Sequence, residues 1–591
     1  MSNPATEAVS LQELREQWLR AWPRALEAWS HYLQLRPPKL CVSAAEAAME
    51  GLEDSFAMIR LQDQSVVVDL CAVRASDIEQ FPVEVLAHEI GHHVLAPATL
   101  TDHARILARM RKALPTLEGH APYVANLYTD LLINDRLQRS AQLRMAEIYR
   151  RLKVTHRSSV WRLYVRIYEM LWALPQGSLG SGPKLTDNME GDAWLGARVI
   201  RHFARERLDG AGRFAALILP YLVEDAAANA LSVLWHDTRQ AGKGGQPGGL
   251  TEIEPDEERA AVHPANDPEL SDVSTGLPPA EVERQAPARG QARQPYEYGE
   301  ILRAAGVASS DHELAIRYYK ERATTQLIPF PSRQAPVGTD PLPEGIEPWD
   351  VGESLDRIDW FQSVLVSPKV VAGLSTVQRV WGTEDGDEPK RVPLDLDLYV
   401  DSSGSMPDPS RILSYPALAG TILCLSALRA GARVKATLWS GKLQVRKTAG
   451  FVRDEHAIME VLTGYLGGGT QFPIHELRET YREVAAPDRS RHILIISDDG
   501  VSTMFEPDEQ GQPGWQIARE ALARAGGGGT LLLNLPENWE SATIKHLALK
   551  VALQTIRRAR DEGGWQVHRV ANWEELTAFA RAFSRMKYTS L

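Results

Sequence analysis

The C-terminal third of the chain alternates short apolar runs with helical segments, and this alternation restricts the fold more than any other feature of the sequence. Strands and helices that alternate on this scale form a parallel sheet with helices on both faces. We therefore predict a doubly wound, Rossmann-like α/β domain over residues 392–591. The predicted strands are LDLDLYV, ARVKATLW, HILIIS, TLLLNLP and WQVHRV, with helices near 411–429, 454–465, 473–485, 515–525, 541–559 and 572–586.

The rest of the chain divides by composition into three parts, so we predict a multidomain protein. Residues 1–237 show mainly helical spacing of apolar side chains, apart from the β-branched run FAMIRLQDQSVVVDLCAV, which predicts one or two strands. Residues 238–295 are rich in Pro, Gly and acidic residues, a composition typical of a flexible linker. Residues 296–391 mix short helices with extended segments, and we expect them to pack on the C-terminal domain.

Directly after the β-branched run, residues 88–92 read His-Glu-Ile-Gly-His within the apolar segment FPVEVLAHEIGHHVL. On a helix, His88 and His92 are four residues apart and face the same side, so both imidazoles can bind one zinc ion. Glu89 is then the candidate general base for a metal-polarised water. A strand followed by such a helix resembles the usual order in zincin metallopeptidases. The sequence therefore predicts a mainly α, zincin-like metallopeptidase domain over 1–237.

A catalytic zinc site normally has three protein ligands, and the motif supplies two. Asp130 is the first candidate for the third, because it lies on the predicted helix ANLYTDLLINDRL with Asn126 and Asn134 on the same face. Asn134 or Asp135 would then orient the ligands by hydrogen bonds. Many zincins carry a Glu ligand where this sequence has Asn126, which leaves other ligands open. The alternatives are His93, His103 and His120, and the candidates for stabilising an oxyanion are Tyr123 and Tyr128.

A second candidate site follows the first strand of the C-terminal domain, which runs into Asp401, Ser403 and Ser405 of the segment DSSGS. Open parallel sheets bind ligands just beyond the carboxyl ends of their strands, where this loop must lie. Two further oxygens would come close in such a fold, from Thr470 in the Gly-rich segment LGGGTQF and from Asp498 after a later strand. Hydroxyl and carboxylate oxygens suit Mg²⁺, with Mn²⁺ and Ca²⁺ as alternatives.

DSSGS with the downstream segments GGGT and SDDG resembles the metal-ion-dependent adhesion site of von Willebrand factor A (VWA) domains. The resemblance implies a Mg²⁺-centred surface whose open coordination position accepts an acidic side chain of a partner protein. The family usually has one Asp before Gly at the last position, whereas Asp498 and Asp499 both occur here, and the position after the strand favours Asp498. The whole layout is similar to bacterial proteins that join a metallopeptidase region to a C-terminal VWA domain and are associated with MoxR-type AAA+ ATPases.

Composition limits the function classes further. The formal net charge of −12 disfavours general nucleic-acid binding, which needs a basic surface. We expect no membrane span, since the sequence has no apolar stretch of sufficient length, and no disulfide framework, since its three cysteines are widely spaced. Together with an N-terminus that lacks a basic-then-apolar signal pattern, these features favour a cytoplasmic protein.

These observations give one leading function and two rivals. The leading hypothesis is a zinc-dependent peptidase, acting on a protein or peptide, joined to a Mg²⁺-dependent VWA recognition domain. The first rival is a non-catalytic adaptor for a MoxR-type AAA+ ATPase, in which the N-terminal metal site is structural or degenerate. The second is a peptidase that cleaves its own linker between Gln240 and Gln294.

Overall fold

In the computed structural model, the described residues are 10–52, 55–152, 158–180, 185–227, 238–239, 247–257, 259–271, 291–330, 332–334, 339–385, 391–482, 489–540, 546–572 and 575–586. They form two compact units, which confirms a multidomain chain. Unit 1 comprises Met1–Glu321 with Ser410–Leu413, and unit 2 comprises Arg322–Pro409 with Ser414–Leu591.

The described helices and strands are numbered here in chain order. The helices are α1 (Leu11–Glu27), α2 (Ala44–Met49), α3 (Leu70–Ala75), α4 (Pro82–Val94), α5 (Leu100–Ala113), α6 (Ala121–Arg139), α7 (Met145–Arg151), α8 (Ser159–Leu171), α9 (Asp187–His202), α10 (Arg207–Ala227), α11 (Pro268–Ser271), α12 (Pro295–Ala304), α13 (Asp311–Thr324), α14 (Trp360–Val366), α15 (Tyr415–Arg429), α16 (Glu455–Leu462), α17 (Ile474–Tyr481), α18 (Gly514–Ala525), α19 (Leu547–Asp561) and α20 (Glu575–Met586). The strands are β1 (Lys39–Cys41), β2 (Ala57–Arg60), β3 (Ser65–Asp69), β4 (Thr238–Arg239), β5 (Ser332–Gln334), β6 (Thr339–Pro348), β7 (Val377–Asp385), β8 (Arg391–Pro393), β9 (Asp395–Asp401), β10 (Val434–Trp439), β11 (Val445–Lys447), β12 (Arg491–Ser497), β13 (Gly526–Asn534) and β14 (Gln566–Val570).

Unit 1 is mainly helical and contains a small sheet with the strand order β1-β3-β2-β4. The β-branched run before the metal motif forms the antiparallel pair β2 and β3, and the chain then turns into α3, where the Asp69 side chain accepts from two backbone amides. α1 begins with a capping box between Ser10 and Glu13 and buries Trp18 and Trp22. These side chains share one hydrophobic core with the strands and with α4, so the helix that carries the metal motif is fixed on its apolar side.

Within the flexible linker that we predicted over 238–295, the described residues 247–257 and 259–271 contain ion-paired carboxylates. Arg109 of α5 pairs with Glu254 at 2.6 Å and with Asp256 at 3.0 Å. Arg293 and Glu257 form a second ion pair at 2.6 Å, in which both side chains are buried. Acidic residues that suggested a solvated segment are therefore partners of buried arginines within unit 1. Residues 240–246, 258 and 272–290 of the predicted linker lie outside the described residues.

α12 and most of α13 also belong to unit 1, whereas we predicted that all of 296–391 packs on the C-terminal domain. Arg317 of α13 donates to the carbonyl of Pro247, and the Tyr298 hydroxyl of α12 donates to Glu321 of α13 at 3.0 Å. These contacts hold the two helices to each other and to the preceding segment of the same unit.

Unit 2 contains a six-stranded sheet with the order β11-β10-β9-β12-β13-β14, in which all neighbouring strands are parallel except β10 and β11. Tyr399 of β9 lies in a core with residues of α17, α18 and α19. Leu398 and Val400, which alternate with it, approach Gly420 of α15 on the opposite face. The sheet is covered on both sides, so the predicted α/β region is confirmed. β11, a short antiparallel edge strand, was not predicted.

Unit 2 also contains β6 and β7, which form an antiparallel pair, and α14 between them. No helix in the described part of the chain is long and apolar enough to cross a lipid bilayer.

Candidate metal centres

The first centre lies between α4 and α6, which approach closely at Gly91. A Cβ atom on Gly91 would lie 2.6 Å from Cγ2 of Ile133 and 2.7 Å from Cζ2 of Trp29. Neither neighbour can move freely, because Ile133 is β-branched and the Trp29 indole donates to the Ala87 carbonyl at 2.7 Å. The glycine of the motif therefore allows α6 to bring its polar side chains against the two histidines of α4.

His88, His92 and Asp130 come together at this contact, with one ligand atom from each within 4.8 Å of the others. The Asp130 Oδ1 atom is 3.4 Å from His92 Nε2 and 3.7 Å from His88 Nε2. These separations exceed the usual hydrogen-bond length. Two ligands placed about 2.0–2.2 Å from a tetrahedral ion are roughly 3.3–3.6 Å apart. The two distances from Asp130 Oδ1 are therefore close to those between ligands that share an ion.

Hydrogen bonds to the other ring nitrogens support this arrangement. His88 Nδ1 is 2.7 Å from the Asn134 side-chain oxygen, and His92 Nδ1 is 3.0 Å from the carbonyl oxygen of Ala96. Both partners are acceptors, so each Nδ1 carries the proton and each Nε2 carries a lone pair. Burial, reinforced by neighbouring His88, lowers the pKa of His92 and keeps that ring neutral. The His92 ring is thus in the form that binds a metal, and a neutral His88 ring has the same tautomer.

Asparagines in α6 orient both the carboxylate and one histidine. The Asn126 amide donates to Asp130 Oδ2 at 3.1 Å, which leaves the Oδ1 atom directed at the histidines. Asn126 therefore orients the Asp130 carboxylate. Many zincins have a Glu ligand at the position that Asn126 occupies here. Of the two predicted supporting residues, Asn134 contacts His88, whereas Asp135 pairs with Arg139.

Three tyrosines complete the network around Asn134, and the sequence analysis did not identify them. The Asn134 amide nitrogen donates to the hydroxyls of Tyr168 at 2.9 Å and Tyr149 at 3.2 Å. This fixes the amide orientation, so that the Asn134 oxygen faces His88. Burial raises the pKa of Tyr164 and Tyr168 well above the usual value, which keeps both hydroxyls protonated. The i, i+4 spacing of Tyr164 and Tyr168 on an amphipathic helix was the available signal.

The alternative third ligands lie outside the grouping. Among the described residues, His88, His92 and Asp130 form a candidate metal group without His93, His103 or His120. His103 is buried on α5, and burial lowers its pKa to about 4. The structure thus brings together the two motif histidines and the first-choice carboxylate.

Glu89 lies on α4 next to His88 and is buried. The two tyrosines considered for oxyanion stabilisation have different surroundings. The Tyr128 hydroxyl donates to the Arg207 carbonyl at 2.8 Å, which commits it to a structural bond. Burial raises the pKa of Tyr123 above its ordinary value.

A cavity of about 70 Å³ adjoins the centre. Its polar wall contains His88 and Asp130 with Asn126 and Asn134, while the remaining wall is mainly apolar and aromatic. A cavity of this kind suits an apolar group placed next to the ligand atoms. The other lining residues are Phe56, Val85, Leu127, Met145, Ile148, Tyr149, Leu152, Trp161 and Tyr164.

The second centre lies at the carboxyl ends of the adjacent parallel strands β9 and β12. Ser403 Oγ is 3.1 Å from Ser405 Oγ, and the Ser405 hydroxyl donates to Asp498 Oδ2 at 3.2 Å. The Ser403 amide donates to Asp401 Oδ1 at 2.8 Å. Ser497 also donates to Asp401, at 2.6 Å, so this serine is an additional support that the sequence analysis did not identify.

Thr470 reaches the same centre through the Gly-rich loop. The Gly404 amide donates to the Gly468 carbonyl at 3.0 Å, which joins that loop to the DSSGS segment. A Cβ atom on Gly500 would lie 2.3 Å from Thr470 Cγ2 and 3.0 Å from Asp498 Oδ1. The structure therefore gathers all five predicted oxygen-bearing residues, Asp401, Ser403, Ser405, Thr470 and Asp498, at one edge of the sheet.

Electrostatics at this edge favour a cation. Burial raises the pKa of Asp401 to about 6, although hydrogen bonds from Ser497 and Ser403 oppose the shift. The pKa of Asp499 is also raised, by burial and by the neighbouring Asp498 carboxylate. A divalent cation would offset this concentration of negative charge, and the hydroxyl and carboxylate oxygens suit a hard ion such as Mg²⁺.

Comparisons with known proteins identify no family. No protein-family model and no curated protein matches the chain. An aerotolerance-related membrane protein from Bacteroides fragilis is 14% identical, with a TM-score of 0.21 over 33% of this chain and 99% of that one. BatB from Bacteroides thetaiotaomicron is 17% identical, with a TM-score of 0.21 over 33% and 98%. The Deinococcus radiodurans RO (RSR) protein is 13% identical, with a TM-score of 0.20 over 98% and 95%. Similarities this low carry no argument about function.

Proposed function

We propose that unit 1 is a zinc-dependent peptide hydrolase and that unit 2 is a Mg²⁺-dependent VWA domain that binds a protein. The observation that carries the first part is the hydrogen bonding of His88 and His92. Each Nδ1 faces an acceptor, so each Nε2 presents a lone pair on the side where Asp130 Oδ1 lies. This is the donor set of a zinc site with three protein ligands.

In the proposed reaction, His88, His92 and Asp130 would hold the zinc ion. When bound, zinc polarises a carbonyl and lowers the pKa of water. Glu89 would accept the proton from the attacking water and pass it to the leaving amine. Asn134, fixed by Tyr149 and Tyr168, holds the His88 ring in its orientation. The apolar cavity beside His88 would receive an apolar or aromatic side chain of the peptide.

For unit 2, the gathering of the five oxygen-bearing residues supports a metal-ion-dependent adhesion site. Asp401, Ser403, Ser405, Thr470 and Asp498 would hold Mg²⁺, and an acidic side chain of the partner would complete the coordination. The similarity of the whole layout to bacterial proteins with a metallopeptidase region and a C-terminal VWA domain implies a MoxR-type AAA+ ATPase as the partner class. The loop geometry and the sequence resemblance together support this role of unit 2.

One observation favours a second candidate, a structural metal in a non-catalytic adaptor. The ligand residues are almost entirely buried, with exposed fractions of 8% for His88, 0% for His92 and 6% for Asp130. Structural zinc sites are closed, whereas catalytic sites keep an open position. Against this candidate, the cavity beside His88 and Asp130 provides room next to the ligand atoms.

Two measurements separate these candidates. Purified wild type should contain about one zinc ion per chain, and it should cleave fluorogenic peptides that carry an apolar side chain. Glu89→Gln should abolish cleavage and retain zinc, because it removes the base and leaves the three ligands. Glu84→Gln is the matched control, since Glu84 is also buried on α4 but pairs with Arg144 at 2.9 Å.

The outcomes are distinct. Zinc without cleavage in wild type would favour the structural metal. Equal cleavage by wild type and the Glu89→Gln variant would exclude Glu89 as the base, and an absence of zinc would contradict both candidates.

A further inference from the structure

α14 has an inverted distribution of apolar and polar side chains. Its large apolar residues Trp360, Phe361, Val364, Leu365 and Val366 are between 51% and 70% exposed, whereas Ser363 is fully buried. A helix on the surface of a soluble domain normally turns its apolar side chains inward. We call these five exposed side chains the α14 surface.

The inversion is built into the packing of the helix. The Asp359 side chain caps α14 by accepting from the Gln362 amide at 3.0 Å, and it pairs with Arg379 of β7 at 2.6 Å. The Ser363 hydroxyl donates to the Asp359 carbonyl at 2.7 Å and accepts from the Val377 amide at 3.0 Å. The polar side of α14 is thus fixed to β7 by hydrogen bonds, and its apolar side must face outward.

The neighbouring segments extend the apolar character. Trp381 on β7 and Ile346 on β6 are about half exposed, and Val351, Leu355 and Leu374 in the segments that connect β6, α14 and β7 are more exposed still. Single exposed apolar residues are ordinary, but a concentration of this size within one short region marks an interaction site.

Charge identifies the chemistry of the partner. Exposed carboxylates at Glu344, Glu347, Asp350, Glu353 and Asp356 are interleaved with the exposed apolar residues of this region. The three basic residues between 344 and 381 are Arg357, Lys369 and Arg379, and the last already pairs with Asp359. The surroundings of the α14 surface therefore carry a net negative charge.

This charge argues against three occupants. A second copy that docked the same face would oppose carboxylate to carboxylate, which is unfavourable. Anionic lipid surfaces and nucleic acids would be repelled for the same reason. A protein segment with an apolar face flanked by Lys and Arg satisfies both properties of the region.

We propose that the α14 surface docks a basic, apolar-faced helical segment of another protein. The exposed aromatic and aliphatic side chains supply the apolar contact, in the manner of a helix that lies against a hydrophobic face. The interleaved carboxylates accept salt bridges from the basic flanks and select against acidic partners. The proposal is independent of both metal centres.

The test uses the full chain and a fluorescein-labelled amphipathic helical peptide made of Leu and Lys. Phe361→Ser combined with Leu365→Ser should weaken peptide binding at least about 10-fold, because exposed aromatic anchors contribute most of an interface's affinity. Leu547→Ser combined with Val551→Ser is the matched control. Leu547 and Val551 are also exposed apolar residues four positions apart, on α19 of the same unit, and their exchange should leave binding unchanged.

A charge-reversed pair completes the test. Glu353→Lys combined with Asp356→Lys should also weaken binding of the Leu/Lys peptide, and a Leu/Glu peptide should bind wild type at least about 10-fold more weakly than the Leu/Lys peptide. Equal loss of binding in the α19 control pair, or equal binding of both peptides, would overturn the proposal. So would a dimer in light scattering that the Phe361→Ser and Leu365→Ser exchanges dissociate, because the surface would then pair two copies of the chain.

Discussion

In unit 1, the candidate ligands His88, His92 and Asp130 project from two helices, and residues outside the ligand set orient them. In unit 2, Ser403 and Ser405 lie in a loop after a strand, and their hydroxyls bond to each other and to Asp498. The first centre is therefore organised by its surroundings, whereas much of the second is organised by its own ligands.

This difference has an energetic consequence. A cation at the helical centre would meet Nε2 lone pairs already directed at it, because the Nδ1 atoms of His88 and His92 hold the protons. A cation at the loop centre would replace hydrogen bonds that Ser405 already makes. Part of the free energy gained by coordination is therefore offset by the loss of these bonds. We expect tight zinc binding in unit 1 and weaker, reversible Mg²⁺ binding in unit 2, as suits a recognition site.

The largest expected effects follow from removing one candidate ligand of each centre in turn. Asp130→Ala should lower zinc affinity by at least about 100-fold, since loss of a ligand exceeds the 10–100-fold typical of a supporting residue. Chelator competition would measure this change. Asp401→Ala should leave zinc affinity unchanged and remove the rise in thermal stability of unit 2 that Mg²⁺ produces.

Each variant is also the control for the other centre, because each exchange should affect only its own metal. If Asp130→Ala also removes the Mg²⁺ effect, or if Asp401→Ala lowers zinc affinity, the two centres are coupled. Zinc binding that survives the Asp130→Ala exchange would show that the third ligand is another residue.

A smaller effect should follow from loss of a supporting side chain. Asn134→Leu removes the acceptor of His88 Nδ1 and should lower zinc affinity about 10–100-fold. The control is Asp135→Asn, the next residue of α6, which pairs with Arg139 and should leave zinc affinity unchanged. Equal affinities in all three proteins would mean that the Asn134 network does not orient the zinc ligand.

Patterns local in sequence predicted much of both regions. The β-branched run gave β2 and β3, and the apolar runs after residue 392 gave the parallel strands, because side-chain periodicity is a local property. Asp130 could be selected because Asn126 and Asn134 mark one face of α6 at four-residue spacing. The Asp401 loop could be placed because strand ends meet at one edge of a parallel sheet.

Features that depend on partners distant in the chain could not be predicted. The acidic residues Glu254 and Glu257 read as part of a solvated linker, since their pairing with Arg109 and Arg293 follows from tertiary packing. Tyr149 reaches Asn134 only through the arrangement of several helices. The outward apolar face of α14 was not predicted, because apolar composition does not reveal which side of a short helix is buried.

The smallest expected effect concerns His103, a buried histidine of unit 1 that contrasts with the buried His492 of unit 2. His492 in unit 2 bonds through both ring nitrogens, to the Gly527 carbonyl at 2.8 Å and to the Thr530 hydroxyl at 3.1 Å. Neither ring nitrogen of His103 in unit 1 has a hydrogen-bond partner among the described residues. His103→Leu should therefore cost unit 1 little at neutral pH, because no buried partner loses its hydrogen bond.

The pH dependence should separate wild type from His103→Leu. Burial lowers the pKa of His103 from 6.5 to about 4, so the unfolded chain takes up a proton before the folded one does. This histidine thus lowers the free energy of unfolding as pH falls from 6.5 towards 4, by up to about 1.4 kcal/mol per pH unit. In urea unfolding, the free energy of unfolding of His103→Leu should therefore depend less on pH than that of wild type. The transition of unit 1 can be recognised because added zinc should shift it. Identical slopes would show that His103 has the same pKa in the folded and unfolded protein, and hence that water or an anionic group reaches its ring.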